Sequence, residues 1–174
     1  NNKELKFAYL VIASGSKYAS LIKEGDILLA DKGTRLKEHH KDFEKCKNVI
    51  IVGGGLAGVE LAGEITDKNP EKKVMIIQSG KDIMPRNNVK SRKFAKEFLE
   101  KRGVKLIFNE RVEKVNRGFV ETDKKNKFIG DLVILCTGVK PNSEFIDKAS
   151  LDWKGFIDVN PHLQMRGSEN IFVC

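Results

Sequence analysis

The sequence predicts an α/β fold with a parallel β-sheet, because short apolar runs alternate with helical patterns along the chain. These runs occupy residues 49–52, 74–77, 104–108 and 131–136. The first is continuous, as expected of a strand at the centre of a parallel sheet that is covered on both faces. Helical patterns follow the first two runs, and three short alternating segments follow the third, which is typical of an antiparallel β-meander. This order predicts a Rossmann-like sheet with helices on both faces plus an antiparallel meander.

Turn residues set the limits of these elements. The first helical pattern begins at Leu56 and ends near Pro70, because proline cannot continue a helix. The second covers Val89–Arg102 and ends at Gly103, a typical helix C-terminal glycine. The meander segments are Arg111–Val115, Gly118–Thr122 and Lys127–Ile129.

Further elements are predicted outside this unit. Phe7–Ala13 is typical of a buried strand that stops at Ser14-Gly15. Residues 16–47 are charged and lack a clear period, so we interpret them as a connector with a helix near Leu36–Cys46. Three strands of another domain are predicted at Phe156–Val159, His162–Met165 and Ile171–Val173.

Composition narrows the classes of function. The net charge of +8 favours the binding of polyanions. The lysines are scattered, however, and aromatic residues make up only 7%, so we expect no nucleic-acid partner. Cys46, Cys136 and Cys174 are far apart, so neither a disulfide scaffold nor a metal site is expected. We expect an intracellular location, either cytoplasmic, organellar or peripheral to a membrane.

The glycine-rich turn after residue 52 carries the main chemical signal. Gly53, Gly55 and Gly58 fit the pattern GxGxxG between an apolar strand and a patterned helix, with a second strand following. In this pattern the glycines permit a tight turn, a close approach to a pyrophosphate and close helix packing. The helix N-terminus adds N–H groups and a partial positive charge. We therefore predict that the loop binds a dinucleotide through residues Gly53, Gly54, Gly55, Leu56, Ala57 and Gly58.

The end of the second strand bears on the choice between NAD and NADP. An acidic residue at this position would bind the ribose 2′-hydroxyl, but the sequence has Gln78-Ser79-Gly80-Lys81. Gln78 can bind a ribose without repelling a phosphate, and Ser79 and Lys81 can contribute to holding a 2′-phosphate. A solvated loop charge is the alternative for Lys81. The choice between NADH and NADPH stays open.

The chain resembles the pyridine nucleotide-disulfide oxidoreductases, flavoproteins with two dinucleotide-binding domains. The resemblance is carried by Asn48–Ile65, Asn69–Ile77 and Asp131–Ser143. It implies a flavin domain that is split by an inserted NAD(P)H domain. The implied division is a flavin-domain remnant at 1–15, the connector at 16–47, the NAD(P)H-binding domain at 48–142, and a return segment at 143–174.

The resemblance also implies roles for individual residues. Glu60 matches a family glutamate that lies near the nicotinamide and flavin, and we treat it as the candidate catalytic residue; its simpler role is to stabilise the helix end. Gly138 matches a glycine at the edge of the nucleotide site. Gln78 stands where many members have Glu. The family's first GxGxxG and its terminal Gly-Asp do not occur, so we expect a piece of a longer protein that holds no flavin and is inactive alone.

We therefore expect the NAD(P)H-binding part of an FAD-dependent oxidoreductase that passes hydride from nicotinamide to flavin. The expected partner is a small-molecule electron acceptor, such as a quinone, and membrane-surface association would depend on other parts of the protein. Two alternatives stay open. One is a disulfide or iron-sulfur-protein reductase of the same fold, and the other is an NAD(H)-sensing interaction protein.

Overall fold

The structure, a computed structural model, describes residues 4–18 and 29–174. Two compact units divide the chain: Asn1–Ala19 with Val139–Cys174, and Ser20–Gly138. The elements in chain order are β1 (Leu10–Ile12), β2 (Ser16–Tyr18), α1 (Leu29–Lys45), β3 (Asn48–Val52), α2 (Leu56–Lys68), β4 (Lys73–Gln78), α3 (Val89–Lys101), β5 (Lys105–Phe108), β6 (Val112–Asn116), β7 (Phe119–Thr122), β8 (Lys127–Ile129), β9 (Leu132–Leu135), β10 (Val139–Pro141), a 3-10 turn (Lys148–Ser150) and β11 (Ile171–Val173).

The larger unit is built on a four-stranded parallel sheet in the order β5-β4-β3-β9. The central strand β3 pairs with β4 on one side and β9 on the other. Its residues Val49, Ile50 and Ile51 are almost completely buried, as the continuous apolar run predicts. Because all four strands run in the same direction, the loops that follow them meet at one edge of the sheet.

The two faces of this sheet are covered by different structures. Ile51 and Ile76 pack on one face with Ala62 of α2 and Leu99 of α3. The opposite face packs against Val120 of the meander β6-β7-β8. The α/β fold class with its parallel sheet and meander is confirmed, but the two helices that follow β3 and β4 lie on the same face. The meander, which joins β5 to β9, covers the opposite face of the sheet, where a helix was predicted.

Local signals account for the helix ends. The side chain of Asn88 accepts a hydrogen bond of 2.9 Å from the Ser91 N–H and so caps α3. At the other end, Val104 N–H donates to the Leu99 carbonyl beside Gly103, which closes the helix as predicted. Helix α2 begins after Gly55 without a side-chain cap. Its first N–H groups are therefore left for another partner.

Lys72 joins the end of α1 to the sheet. Its side chain is only 4% exposed, and its Nζ donates to the carbonyl oxygens of Phe43 and Cys46 at 2.9 and 2.7 Å. These carbonyls lie at the C-terminal end of α1, where a cation is favourable. The hydrogen-bonding capacity of this buried ammonium group is thus met by carbonyl groups at the end of α1.

Asp131 fixes the start of β9 against the start of β3. One oxygen of its carboxylate accepts hydrogen bonds from the Asn48 and Lys47 backbone N–H groups at 2.8 and 2.9 Å. The Asn48 side chain adds a third bond to the same oxygen. These bonds, led by the Asn48 N–H, hold the pKa of Asp131 below its ordinary value.

The smaller unit contains two short strand pairs. Strand β1 pairs in parallel with β11, and β2 pairs antiparallel with β10. Only Leu10–Ile12 of the predicted buried strand Phe7–Ala13 forms a paired strand, and Val11 within it is exposed rather than buried. The segments predicted as strands at 156–159 and 162–165 form only isolated bridges, through Ile157, Val159, Gln164 and Met165. Among the described residues, no helix is long and apolar enough to cross a bilayer.

The units differ from the predicted domain limits at two points. Residues 139–141 pair with 16–18 in the smaller unit, so the larger unit ends at Gly138 rather than at 142. Helix α1, predicted within the connector as a shorter helix, belongs to the larger unit. Both differences come from pairing and packing between segments that are distant in sequence.

Candidate nucleotide-binding site

The glycine loop between β3 and α2 is held by contacts that only glycine allows at two positions. Gly53 has φ +111°, and a Cβ there would overlap the Cys136 carbonyl oxygen and lie 2.8 Å from its carbon. A Cβ at Gly58 would overlap the Gly53 carbonyl oxygen and lie 3.3 Å from Ile51 Cγ2. The loop is therefore clamped between the end of β9 and the first turn of α2.

Gly55 is different, because a Cβ there would meet nothing within 4 Å. It is the N-cap of α2, with ordinary φ −73° and ψ −175°. The N–H groups of Gly55, Leu56, Ala57 and Gly58 donate to no acceptor in the part of the chain that the structure describes. Open space thus lies beside a set of unpaired helix N-terminal donors, which is an arrangement suited to an anion.

The N–H groups of the first two glycines serve the protein itself. Gly53 N–H donates to the Ile77 carbonyl at 2.8 Å, and Gly54 N–H donates to Gln78 Oε1 at 2.9 Å. The Gly54 carbonyl accepts from Met84 N–H at 2.7 Å. Gly53 and Gly54 therefore shape the loop, while the free donors begin at Gly55.

Gln78 has a role that the sequence did not indicate. Its amide oxygen is occupied by the Gly54 N–H, so the side chain links the end of β4 to the glycine loop. Its Nε2 group donates to no acceptor among residues 4–18 and 29–174, and lies 3.3 Å from where a Cβ of Gly80 would stand. Gln78 therefore offers a ligand its free Nε2 donor, while its amide oxygen already accepts one hydrogen bond.

The remaining predicted residues lie on the surface of the larger unit. Ser79 and Lys81 are exposed just after β4, and Lys81 forms no ion pair with a described residue. Gly138 follows β9 with φ +98° and open space around it. Glu60 is exposed on α2, along a groove of about 790 Å³ between α2 and α3 that Leu56 and Phe94 also line.

Cys136 lies beside the glycine loop, because its carbonyl oxygen faces Gly53. Burial raises the pKa of the Cys136 thiol, which lies at the end of β9, so the thiol is less readily ionised than an exposed one. In the described segments, no group of three His, Cys, Asp or Glu side chains is placed to hold a metal ion.

The sequence analysis missed the turn after β5. Asn109 N–H donates to the Gly80 carbonyl at 3.0 Å, and Glu110 N–H donates to the Gln78 carbonyl at 3.2 Å. These residues therefore support the segment that was predicted to bind the ribose. Their position directly after a parallel strand was a usable signal, because ligands bind at this edge of such sheets.

Comparison with known sequences gives a match over the whole chain. The sequence pattern of the pyridine nucleotide-disulphide oxidoreductases covers residues 1–174. Ferroptosis suppressor protein 1 of Taeniopygia guttata is 33% identical over 188 residues, covering 99% of this chain and 50% of that protein. The chain thus spans about half the length of the curated relatives that it matches.

Solved structures share the fold. An engineered water-forming NADPH oxidase bound to NADPH matches with a TM-score of 0.73 and 22% identity, over 97% of this chain and 39% of that one. A NAD-dependent persulfide reductase from A. fulgidus matches with a TM-score of 0.71 and 26% identity, over 98% and 33%. The resemblance predicted from the sequence is confirmed: the chain belongs to the pyridine nucleotide-disulphide oxidoreductase family, whose members use FAD and NAD(P)H.

Proposed function

We propose that the larger unit binds NAD(P)H and that the full-length protein is an FAD-dependent NAD(P)H oxidoreductase. The observation that carries this proposal is the open space at Gly55 beside the unpaired N–H groups of residues 55–58. Nothing in the protein's own packing requires a glycine at position 55, whereas a pyrophosphate lying against the backbone would require it.

Three parts of the site would hold different parts of the cofactor. The N–H groups at the start of α2, with the partial positive charge of the helix end, bind the pyrophosphate. The Gln78 Nε2 group, Ser79 and Lys81 are assigned to the ribose of the adenosine half. Because Gln78 presents a donor and Lys81 a positive charge, a 2′-phosphate meets no repulsion from these residues.

Glu60 is assigned to the nicotinamide half, following the family resemblance. It lies in the second turn of α2 and is exposed, with no ion pair to a described residue. Bound NAD(P)H supplies a hydride, and the protein contributes position and electrostatics. Gly138, at the end of the larger unit, leaves open space at the same edge of the sheet.

For the electron acceptor of the full-length protein we propose a quinone. A disulfide or persulfide is the second candidate, since the A. fulgidus persulfide reductase has the same fold at 26% identity. Steady-state NADH oxidation by the full-length protein should be compared with each acceptor class in turn. Turnover with a quinone but with neither sulfur acceptor supports our proposal, and the reverse pattern contradicts it.

A matched pair of substitutions on α2 tests nucleotide binding. We expect Gly55→Ala to weaken NADH and NADPH binding at least about tenfold, because the new methyl group enters the space assigned to the pyrophosphate. Gly63→Ala makes the same change eight residues further along the chain, where a Cβ is 3.8 Å from Phe98 Cε1, an ordinary contact. We expect wild-type affinity for this control. Calorimetric titration of the full-length protein measures both.

Equal affinities for Gly55→Ala and wild type would contradict the assignment of the pyrophosphate to this loop. A Cβ at this position meets no protein atom within 4 Å, so a folded Gly55→Ala variant that loses binding does not lose it through a clash of its new methyl group within the larger unit.

A further inference from the structure

The turn after β5 supports the ribose-binding segment through two backbone hydrogen bonds. Asn109 N–H donates to the Gly80 carbonyl at 3.0 Å and Glu110 N–H donates to the Gln78 carbonyl at 3.2 Å. Asn109 adopts φ +56°, a left-handed conformation that asparagine tolerates better than most residues. The turn thus has an uncommon backbone shape that brings two consecutive donors to the segment after β4.

The Glu110 carboxylate anchors this turn to the meander. The residue is 7% exposed, and it forms no ion pair within the described part of the chain. The hydroxyl of Thr122, which is fully buried, donates to one carboxylate oxygen. Asn126 Nδ2 donates to the other oxygen at 2.6 Å. A buried carboxylate is costly unless it is hydrogen-bonded, so these two donors fix its place at the β7–β8 turn.

The adjacent residue repeats the connection through the backbone. Asp123 N–H donates to the Arg111 carbonyl at 2.8 Å, and Arg111 N–H donates to Asp123 Oδ1 at 3.1 Å. The β7–β8 turn and the turn after β5 are therefore joined by four hydrogen bonds. The turn after β5 is bonded in turn to the carbonyls of Gln78 and Gly80. The Gln78 side chain then accepts the Gly54 N–H, so the contacts extend from the meander to the glycine loop.

We propose that Glu110 is a positioning residue for binding of the adenosine half of NAD(P)H. Anchored by Thr122 and Asn126, it keeps the turn after β5 in the shape that supports Gln78 and Gly80. This inference rests on the proposed function, because it concerns the same nucleotide site. Glu110 itself does not touch the cofactor; it acts through the segment after β4.

The test removes one donor from the Glu110 carboxylate. Thr122→Val has nearly the same shape but lacks the hydroxyl, while Thr122→Ser keeps it. When the binding-competent fraction of the segment falls to between about one third and one tenth, the apparent Kd rises about three- to tenfold. We expect this rise for NADH, NADPH and ADP-ribose with Thr122→Val, and a return toward wild type with Thr122→Ser. We expect kcat at saturating NADH to stay within about twofold of wild type, because the variant changes binding rather than hydride transfer.

Val115→Ala separates positioning from general loss of stability. Val115 lies in the same meander and packs against the apolar cluster that contains Val120, and it is not one of the two hydrogen-bond partners of the Glu110 carboxylate. We expect this variant to lower Tm without changing the Kd for ADP-ribose. If Thr122→Val does not fold, Asn126→Ala removes the other donor at a more exposed residue and carries the same expected rise in Kd.

The outcomes distinguish this inference from the proposed function. Wild-type protein that binds neither NADH nor NADPH would contradict the proposed function. Wild-type protein that binds them, together with folded Thr122→Val and Asn126→Ala variants of unchanged affinity, would overturn only the role of Glu110. An equal rise in Kd for Val115→Ala would also overturn it, because the effect would then be one of stability alone.

Discussion

Gln78 offers a sharp test of how the site reads the ribose. In Gln78→Glu, one carboxylate oxygen can still accept the Gly54 N–H hydrogen bond, which is 2.9 Å long in the structure. The second oxygen replaces the unpaired Nε2 donor. The loop connection is therefore kept, while the group offered to the ribose changes from a neutral donor to a charged acceptor. We expect the variant to bind the 2′-hydroxyl of NADH and to repel the 2′-phosphate of NADPH.

The expected magnitude follows from the position of residue 78. Two unit charges about 4 Å apart interact by about 1 kcal/mol in bulk water and about 4 kcal/mol near a protein surface. Gln78 is half-buried, so an intermediate value of about 2 kcal/mol is appropriate. This energy corresponds to about a 30-fold change in relative affinity. Wild type should bind both cofactors within roughly tenfold of each other, because an exposed Lys81 contributes only about 1 kcal/mol or less.

Calorimetric titration of the full-length protein with NADH and NADPH measures the shift, and Gln78→Met is its control. Methionine has a similar length but cannot replace the amide oxygen that accepts the Gly54 hydrogen bond. We therefore expect Gln78→Met to weaken the binding of NADH and NADPH equally and to leave the ratio of their affinities unchanged. The reasoning is refuted if Gln78→Glu leaves the NADH:NADPH ratio at the wild-type value. A wild-type preference beyond a hundredfold for either cofactor would show that other residues read the ribose.

Two further predictions concern the framework of the larger unit. Gly58→Ala should destabilise the protein by about 1–3 kcal/mol or more, because its Cβ would overlap the Gly53 carbonyl oxygen. Denaturant unfolding measures this loss, and wild-type stability would contradict the helix placement. Asp131→Asn should also lower stability near neutral pH. The lowered pKa of Asp131 means that its contribution is present above about pH 4 and is lost as pH falls further, so the two stability curves should converge in acid. Parallel curves between pH 2 and 7 would refute this role.

The elements nearest the site were predictable because their signals are local. The continuous apolar run of β3, the three glycines and the pattern of α2 lie within twenty-one residues, Asn48–Lys68. Each signal limits the backbone independently of the rest of the chain. The same holds for α3, whose cap at Asn88 and terminating Gly103 are adjacent to it in sequence.

What the sequence did not show depends on contacts between distant segments. The Gln78 side chain was assigned to the ribose because its position in the strand was visible, but its bond to Gly54 spans 24 residues. The meander was recognised as strands, yet its position on the sheet face depends on Val120 meeting Ile50 and Ile77. No periodicity in the sequence encodes such pairings, so the covering of the second face could not be derived.

The three motif glycines carry different kinds of evidence. Gly53 and Gly58 are required by the protein's own backbone, since a Cβ at either would overlap a carbonyl oxygen. A chain that kept the fold but bound no nucleotide would still need them. Gly55 has open space around it and an ordinary backbone conformation, so the fold alone does not require it. Glycine is common at a helix N-cap, and under the proposed function the approach of a pyrophosphate to the backbone would also require it. Within this motif, therefore, Gly53 and Gly58 indicate the fold, and Gly55 is the residue at which the proposed binding can be tested.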